Sequence, residues 1–238
     1  MNGLITLLGV LALLLVAGGL IGLLDRERFD PRWLVIAAVL VAVNDALLTR
    51  LYGSVPSLLP DLERNWEGML LALAATLAIA ALPAFGWRRT GLTLVQAPGS
   101  LKAALPVMAL YCAFFAALAL AFPGDAETRE EIAFQLTMPG FAEETFYRGI
   151  LLYALYKAFQ GRVRFLGVDW SWGAVLSCLL FGLAHALGYS DGQFSFEPLV
   201  MALTALPSFI AVWLALRTRS VLLPIVMHNF GNAISLLI

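Results

Sequence analysis

The sequence predicts an all-α polytopic membrane protein, a bundle of about eight transmembrane helices. Three observations carry that expectation. The chain is 61% hydrophobic and only 13% charged, far from the balance of a soluble domain. Its apolar residues fall into eight blocks, most of them near the roughly 20 residues that cross a bilayer as helix. The turn residues and nearly all the charges lie between the blocks. At 238 residues such a bundle uses the whole chain, so residues 1–238 are expected to form one integral membrane domain.

The first block, Leu4–Leu24, has no Lys or Arg before Arg26. It lacks the basic region of a secretory signal and reads as a retained span. Asp25-Arg-Glu-Arg-Phe-Asp-Pro31 separates it from Trp33–Leu51, and Gly53-Ser-Val-Pro56 breaks the chain before Gly68–Trp87. Ala97-Pro-Gly-Ser100 precedes Leu101–Phe122, and Pro123-Gly-Asp125 ends that block. Thr128-Arg-Glu-Glu131 then leads into Ile132–Leu136; a Thr and acids at the start suit a helix N-terminus, here of a short interfacial helix. Pro139 favours a fresh helix start, so the fifth block is Pro139–Phe159. Trp172–Leu187, Pro198–Leu216 and Val221–Ile238 complete the set. Residues 1–122 hold spans without chemical motifs, and 139–238 hold the expected catalytic core. Trp33, Trp66, Trp87, Trp170 and Trp172 lie near block ends and read as interfacial anchors. Cys112 and Cys178 sit in apolar runs with neither disulfide nor metal-ligand spacing.

The cations set the orientation. The odd-numbered connections and block ends carry Arg26, Arg28, Arg32, Arg88, Arg89, Lys102, Lys157, Arg162, Arg164, Arg217 and Arg219. The even ones carry only Arg50, Arg64 and Arg129, and Arg148 lies inside a block. By the positive-inside rule the odd connections are cytoplasmic and both termini lie outside. The expected location is the bacterial inner (plasma) membrane. A net charge of −1 without a basic block excludes nucleic acid as a partner.

Ionisable groups inside apolar blocks are expensive and mark function. Three blocks carry them: Glu143-Glu144-Thr-Phe-Tyr-Arg148, Phe181-Gly-Leu-Ala-His185 and His228-Asn-Phe-Gly-Asn232. Glu144 and Arg148 are four apart with the acid first, the favourable order for an ion pair on a helix. They neutralise each other in a supporting role, which leaves Glu143, about 100° round the helix, free for chemistry. Phe181 shares a face with His185, and His228 with Asn232. Under the expected topology all these groups lie in the middle-to-outer half of the bilayer. Glu143 and His185 can bind and deprotonate a water, while His228 and Asn232 donate to the oxyanion formed when water adds to a peptide carbonyl. Alternatively, Glu143, His185 and His228 can hold zinc or another divalent metal with an open water position. The residues alone leave both schemes open. Gly182, Gly188 and Gly231 flank the histidines and allow close helix approach.

In this order, Glu-Glu-x-x-x-Arg, Phe-x-x-x-His and His-x-x-x-Asn resemble the CPBP intramembrane proteases. These include the type II CAAX prenyl endopeptidases and the abortive-infection and bacteriocin-processing proteins. The resemblance spans about Pro139–Ile238. It implies a glutamate-type membrane endopeptidase with Glu143, His185, His228 and Asn232 catalytic and Glu144, Arg148 and Phe181 supporting. No cofactor is then required, although the family has also been described as metalloproteases. The expected partners are the lipid bilayer and a membrane-associated or exported protein or peptide substrate. A site in the outer half does not suit a prenylated protein presented from the cytosol. Two other classes compete with it: a catalytically idle scaffold or immunity protein, against which the intact motifs argue, and a transporter, which would spread ionisable residues along both sides of the bilayer.

Overall fold

A computed structural model describes residues 2–123 and 128–238; the end of the Pro123-Gly-Asp125 turn lies outside the described residues. The chain is mostly helical. The helices are α1 (Asn2–Leu24), α2 (Pro31–Leu48), a single turn α3 (Arg50–Gly53), α4 (Trp66–Ala81), α5 (Leu101–Ala121) and α6 (Arg129–Gln135). A π-wound segment, Gly140–Leu151, continues directly into α7 (Leu152–Ala158), and α8 (Trp172–Ala186), α9 (Pro198–Thr218) and α10 (Leu222–Leu237) follow. Two antiparallel hairpins interrupt them: β1 (Val163–Phe165) with β2 (Val168–Trp170), and β3 (Leu187–Ser190) with β4 (Gln193–Phe196).

Four helices, α1, α2, α5 and α9, are long and apolar enough to cross a membrane, and α4, α8 and α10 are shorter apolar helices. The shorter ones have local causes. Leu82 leaves helical geometry just before Pro83, so the expected third block stops well short of Trp87. Thr49 ends α2 by bonding its hydroxyl back to the Asp45 carbonyl at 2.8 Å, and Arg50, Leu51 and Tyr52 turn left-handed. The second block therefore ends at Leu48 rather than Leu51.

The surface follows the logic of a protein solvated by lipid. On α1, Leu8, Val16 and Leu20 are exposed while Gly18 and Gly22 are buried. Large residues face outward and small ones let helices approach. One core cluster joins α1, α2, the π segment, α7 and α8 around Leu14, Phe146, Ile150, Leu151 and Leu155. A second joins α5, α9 and α10 around Ala104, Leu214 and Met227.

The connections sort into two ends. At one end Asp30 N–H donates to Ala158 and Gln160 N–H to Arg28, while Ala97 N–H donates to Thr218 and Val221 N–H to Gly91. This gathers the connections after α1, α4, α7 and α9. At the other end Arg50 pairs with Glu67 at 2.9 Å, and the Glu130 carboxylate accepts from the amides of Arg64 and Glu63 and from the Trp66 indole. The expected interfacial helix is present as α6. Thr128 caps it by accepting the Glu131 amide at 3.1 Å, and the chain breaks at Leu136–Thr137 before the next helix.

Three of the five block-end tryptophans also pack inward. Trp33 packs edge-on against Phe85 and Tyr153, Trp66 serves Glu130 and Phe134, and Trp170 packs on Phe209. Their rings face neighbouring helices because each lies on the inner side of its element. Trp87 and Trp172 are exposed.

Candidate active site

The segment carrying Glu143, Glu144 and Arg148 is wound as a π-helix rather than the expected α-helix. Such winding is rare and concentrates at functional sites. Two side chains favour it here. Thr145 donates its hydroxyl to the Phe141 carbonyl at 2.6 Å, competing with its own amide for the α-helical acceptor. At the start of the segment the Gly140 amide donates to Asn229 Oδ1 at 2.7 Å, and Asn229 Nδ2 donates to the Thr137 carbonyl at 3.1 Å. Asn229 thus staples α10 to the chain break. A Cβ at position 140 would run into this amide and the Ile225 carbonyl, so glycine is required by close approach.

The two adjacent glutamates have different surroundings. Glu144 is buried, with its side chain 1% exposed, and its Oε2 lies 3.0 Å from Arg148 Nε. Its Oε1 accepts from His228 Nδ1 at 2.7 Å. The ion pair expected from the spacing therefore extends to a third partner on α10. Glu143 faces a cavity, and its Oε2 has no hydrogen-bond partner. The nearest cationic or imidazole group is His185, whose Nε2 lies 3.9 Å away. This is too long for a hydrogen bond but short enough for both atoms to contact one water.

His185 is fixed by its other nitrogen. Nδ1 is 2.8 Å from the Phe181 carbonyl. A carbonyl only accepts, so Nδ1 carries a hydrogen and Nε2 is the ring nitrogen turned toward Glu143. By the same reasoning His228 carries a hydrogen on Nδ1, toward Glu144. Asn232 Nδ2 donates to Gln135 Oε1 at 3.1 Å, which ties α10 to α6. Phe181 is the common neighbour. Its ring lies 4.3 Å from the Arg148 guanidinium carbon and 4.7 Å from the His185 ring, and meets His228 edge-on at 6.0 Å.

All seven residues expected from the sequence, Glu143, Glu144, Arg148, Phe181, His185, His228 and Asn232, line a single cavity of about 380 Å³. It lies between the middle of the bundle and the end holding α6. It reaches the surface beside Leu203, which lines it and is 65% exposed. Gly182 and Gly231 serve close approach as expected: a Cβ would meet Met201 at 2.6 Å and the Tyr111 hydroxyl at 2.7 Å, respectively. Four further polar side chains not singled out from the sequence, Tyr111, Gln135, Thr204 and Ser208, line the cavity, and the Ser208 hydroxyl is buried without a partner. Asn229 holds the chain break beside it. Asn229 had a readable signal, an amide in an apolar run beside a histidine; the others had none.

Among the described residues no group of three His, Cys, Asp or Glu side chains is placed to hold a metal ion. One nitrogen of each histidine is oriented by a neighbour, His185 Nδ1 by the Phe181 carbonyl and His228 Nδ1 by Glu144. A second and larger cavity, about 770 Å³, opens at the opposite end and contains none of Glu143, His185, His228 and Asn232.

Residues 129–234 match the family model described as Rce1-like, Type II CAAX prenyl endopeptidase Rce1-like. The matched stretch runs from α6 into α10 and includes Glu143, Glu144, Arg148, Phe181, His185, His228 and Asn232. No curated protein and no solved structure gave a match.

Proposed function

We propose that this chain, which carries an Rce1-like domain over residues 129–234, is a glutamate-type intramembrane endopeptidase. The observation that carries the reading is the pairing of an unpartnered carboxylate with an oriented imidazole at 3.9 Å in a cavity inside an apolar bundle. A water held between Glu143 Oε2 and His185 Nε2 loses a proton to this pair as its oxygen attacks the scissile carbonyl. The carbonyl oxygen becomes an oxyanion. Asn232 Nδ2–H donates to it, and His228 donates from Nε2–H as the imidazolium, whose charge the Glu144 carboxylate balances. Collapse of the tetrahedral species breaks the C–N bond, and the proton taken from water passes to the leaving amine. No step requires a metal.

The cavity's exposure at Leu203 and the apolar surface around it suit a substrate that arrives from the membrane, such as the lipid-embedded tail or signal region of an exported protein. We read eight membrane crossings with both termini outside, which places the cavity in the outer half of an inner membrane. Labelling of Gly161→Cys from outside intact cells would reverse that orientation, whereas Ser190→Cys is expected to label.

The test of activity is a mass-spectrometric comparison of protein termini in membranes and medium from cells carrying the wild type or Glu143→Gln at matched expression. New termini that vanish with Glu143→Gln establish the peptidase and name its substrate. Identical termini in both strains refute it in favour of an idle scaffold or immunity protein.

A further inference from the structure

The larger cavity gathers positive charge that the proposed peptidase chemistry does not use. Arg88, Arg89, Arg162, Arg164, Arg217 and Arg219 line it, drawn from the connections after α4 and α7 and from the end of α9. Asp169 is its one carboxylate, and it is already paired with Arg164 at 3.0 Å. Among the described residues the other five arginines make no ion pair. Several are held by carbonyls instead: Arg89 by Phe85 at 2.7 Å, Arg162 by Tyr156 at 2.9 Å and Arg217 by Gly167 at 3.3 Å. Carbonyl bonds orient a guanidinium without neutralising it. The Arg217 Nε is buried and has no partner. At the inner wall stands Arg148, which also faces the smaller cavity.

The positive-inside rule accounts for basic residues at this end, but not for their convergence. Arg26, Arg28 and Arg32 lie at the same end and do not line the cavity. Converging guanidinium forks match the oxygens of a phosphate group. The rim beside them is apolar: Trp87 and, on the β1–β2 hairpin, Val163, Phe165 and Leu166 are all exposed. A cationic pocket with an apolar rim at a membrane end suits a phosphate that carries acyl chains.

We propose that this cavity is a binding site for a phosphate-bearing anion, the headgroup of an anionic phospholipid or a free phosphate ester. Its chemistry is independent of the peptidase reading. The test uses the full chain in neutral detergent and follows thermal unfolding during titration with phosphatidylglycerol, phosphatidylcholine or inorganic phosphate at constant ionic strength. Phosphatidylglycerol is expected to raise the unfolding temperature saturably, and phosphatidylcholine to leave it unchanged. At about fivefold per arginine, the double variant Arg88→Gln with Arg219→Gln weakens half-saturation roughly 30-fold. Arg88→Lys with Arg219→Lys retains most of the binding, which separates loss of charge from loss of fold. Arg26→Gln with Arg32→Gln, the same charge change outside the cavity, leaves binding near the wild-type value. If inorganic phosphate reproduces the shift and competes with the lipid, the ligand is a soluble phosphate compound; if it does neither while the lipid binds, the ligand is the headgroup. The proposal is overturned if no phosphate-bearing probe shifts the protein, or if both Gln double variants weaken the lipid equally.

Discussion

Glu143 and Glu144 are adjacent in the chain, yet conversion of each to Gln should fail in a different way. At position 144 the carboxylate is shared between Arg148 Nε at 3.0 Å and His228 Nδ1 at 2.7 Å, and it is 1% exposed. Glu144→Gln keeps the shape but leaves the Arg148 guanidinium buried without its counter-charge. Breaking such a pair costs about 3–5 kcal/mol. At about 2–4 °C per kcal/mol for a chain of this size, the unfolding temperature in detergent should fall by about 6–20 °C. Glu143→Gln removes a charge that has no hydrogen-bond partner on Oε2 and borders a cavity. Its unfolding temperature should stay near the wild-type value while turnover falls by about 10²–10⁴-fold, the worth of a general base. The double variant Glu144→Gln with Arg148→Met removes both buried charges at similar volume and should recover at least half of the lost stability, since an apolar replacement of a buried pair is often close to neutral. Thermal unfolding of the four proteins, with turnover measured on the substrate identified from its termini, reads all of this. Equal destabilisation by Glu143→Gln and Glu144→Gln would refute the division of labour, as would a double variant less stable than Glu144→Gln alone.

Three further outcomes are expected. Asn232→Ala should lower kcat by about 10²–10³-fold with KM nearly unchanged, the signature of a donor used only in the transition state; a raised KM with intact kcat would assign Asn232 to binding instead. Gly182→Ala places a methyl 2.6 Å from the Met201 sulfur and 2.9 Å from the Ala205 methyl, so it should cost about 1–3 kcal/mol by overpacking, whereas Gly19→Ala, with open space around it, should not lower the unfolding temperature. Around Glu130, the amide of Arg64 is the main group holding the carboxyl below the usual carboxylate range, with the Glu63 amide and the Trp66 indole adding to it. The contact therefore contributes fully above the ordinary carboxylate pKa and is lost as pH falls through the depressed one; the hydrogen-exchange protection of residues 63–66, relative to their intrinsic rates, should fall as acidification passes through that range, and Glu130→Gln should remove that step.

Much of this was legible in the sequence, for a physical reason. Apolar block length sets helix placement because lipid forces every backbone group to be satisfied within its own segment. The acidic, Thr-capped stretch before Pro139 announced α6 and the break after it. Polar residues in hydrocarbon are rare enough that three motifs sufficed to collect one cavity from α8, α10 and the π segment. What could not be read depends on partners distant in the chain. The Glu144–His228 bond joins residues 84 positions apart, and the Asn232–Gln135 bond spans 97. Of the two contacts that favour the π winding, Asn229 capturing the Gly140 amide comes from another helix, which no local pattern encodes. The β3–β4 hairpin, at Leu187–Ser190 and Gln193–Phe196, sits where the sequence offered only a connection, because a four-residue strand carries too little alternation to stand out.

The burial of Glu144 explains how charge can be tolerated in this bundle at all. A carboxylate, a guanidinium and an imidazole placed separately in hydrocarbon would each have a prohibitive desolvation cost. The guanidinium at 3.0 Å and the imidazole at 2.7 Å share the single Glu144 carboxylate, and Phe181 covers the guanidinium face at 4.3 Å. That cluster locks the π segment to α10 and sets the depth of His228. Because consecutive residues on a helix point in different directions, the same winding that sends Glu144 into the cluster turns Glu143 toward the cavity, where His185 waits on α8. The Glu-Glu pair is thus one structural acid and one free acid on neighbouring faces. The site they define is reachable beside Leu203, from the flank of the bundle.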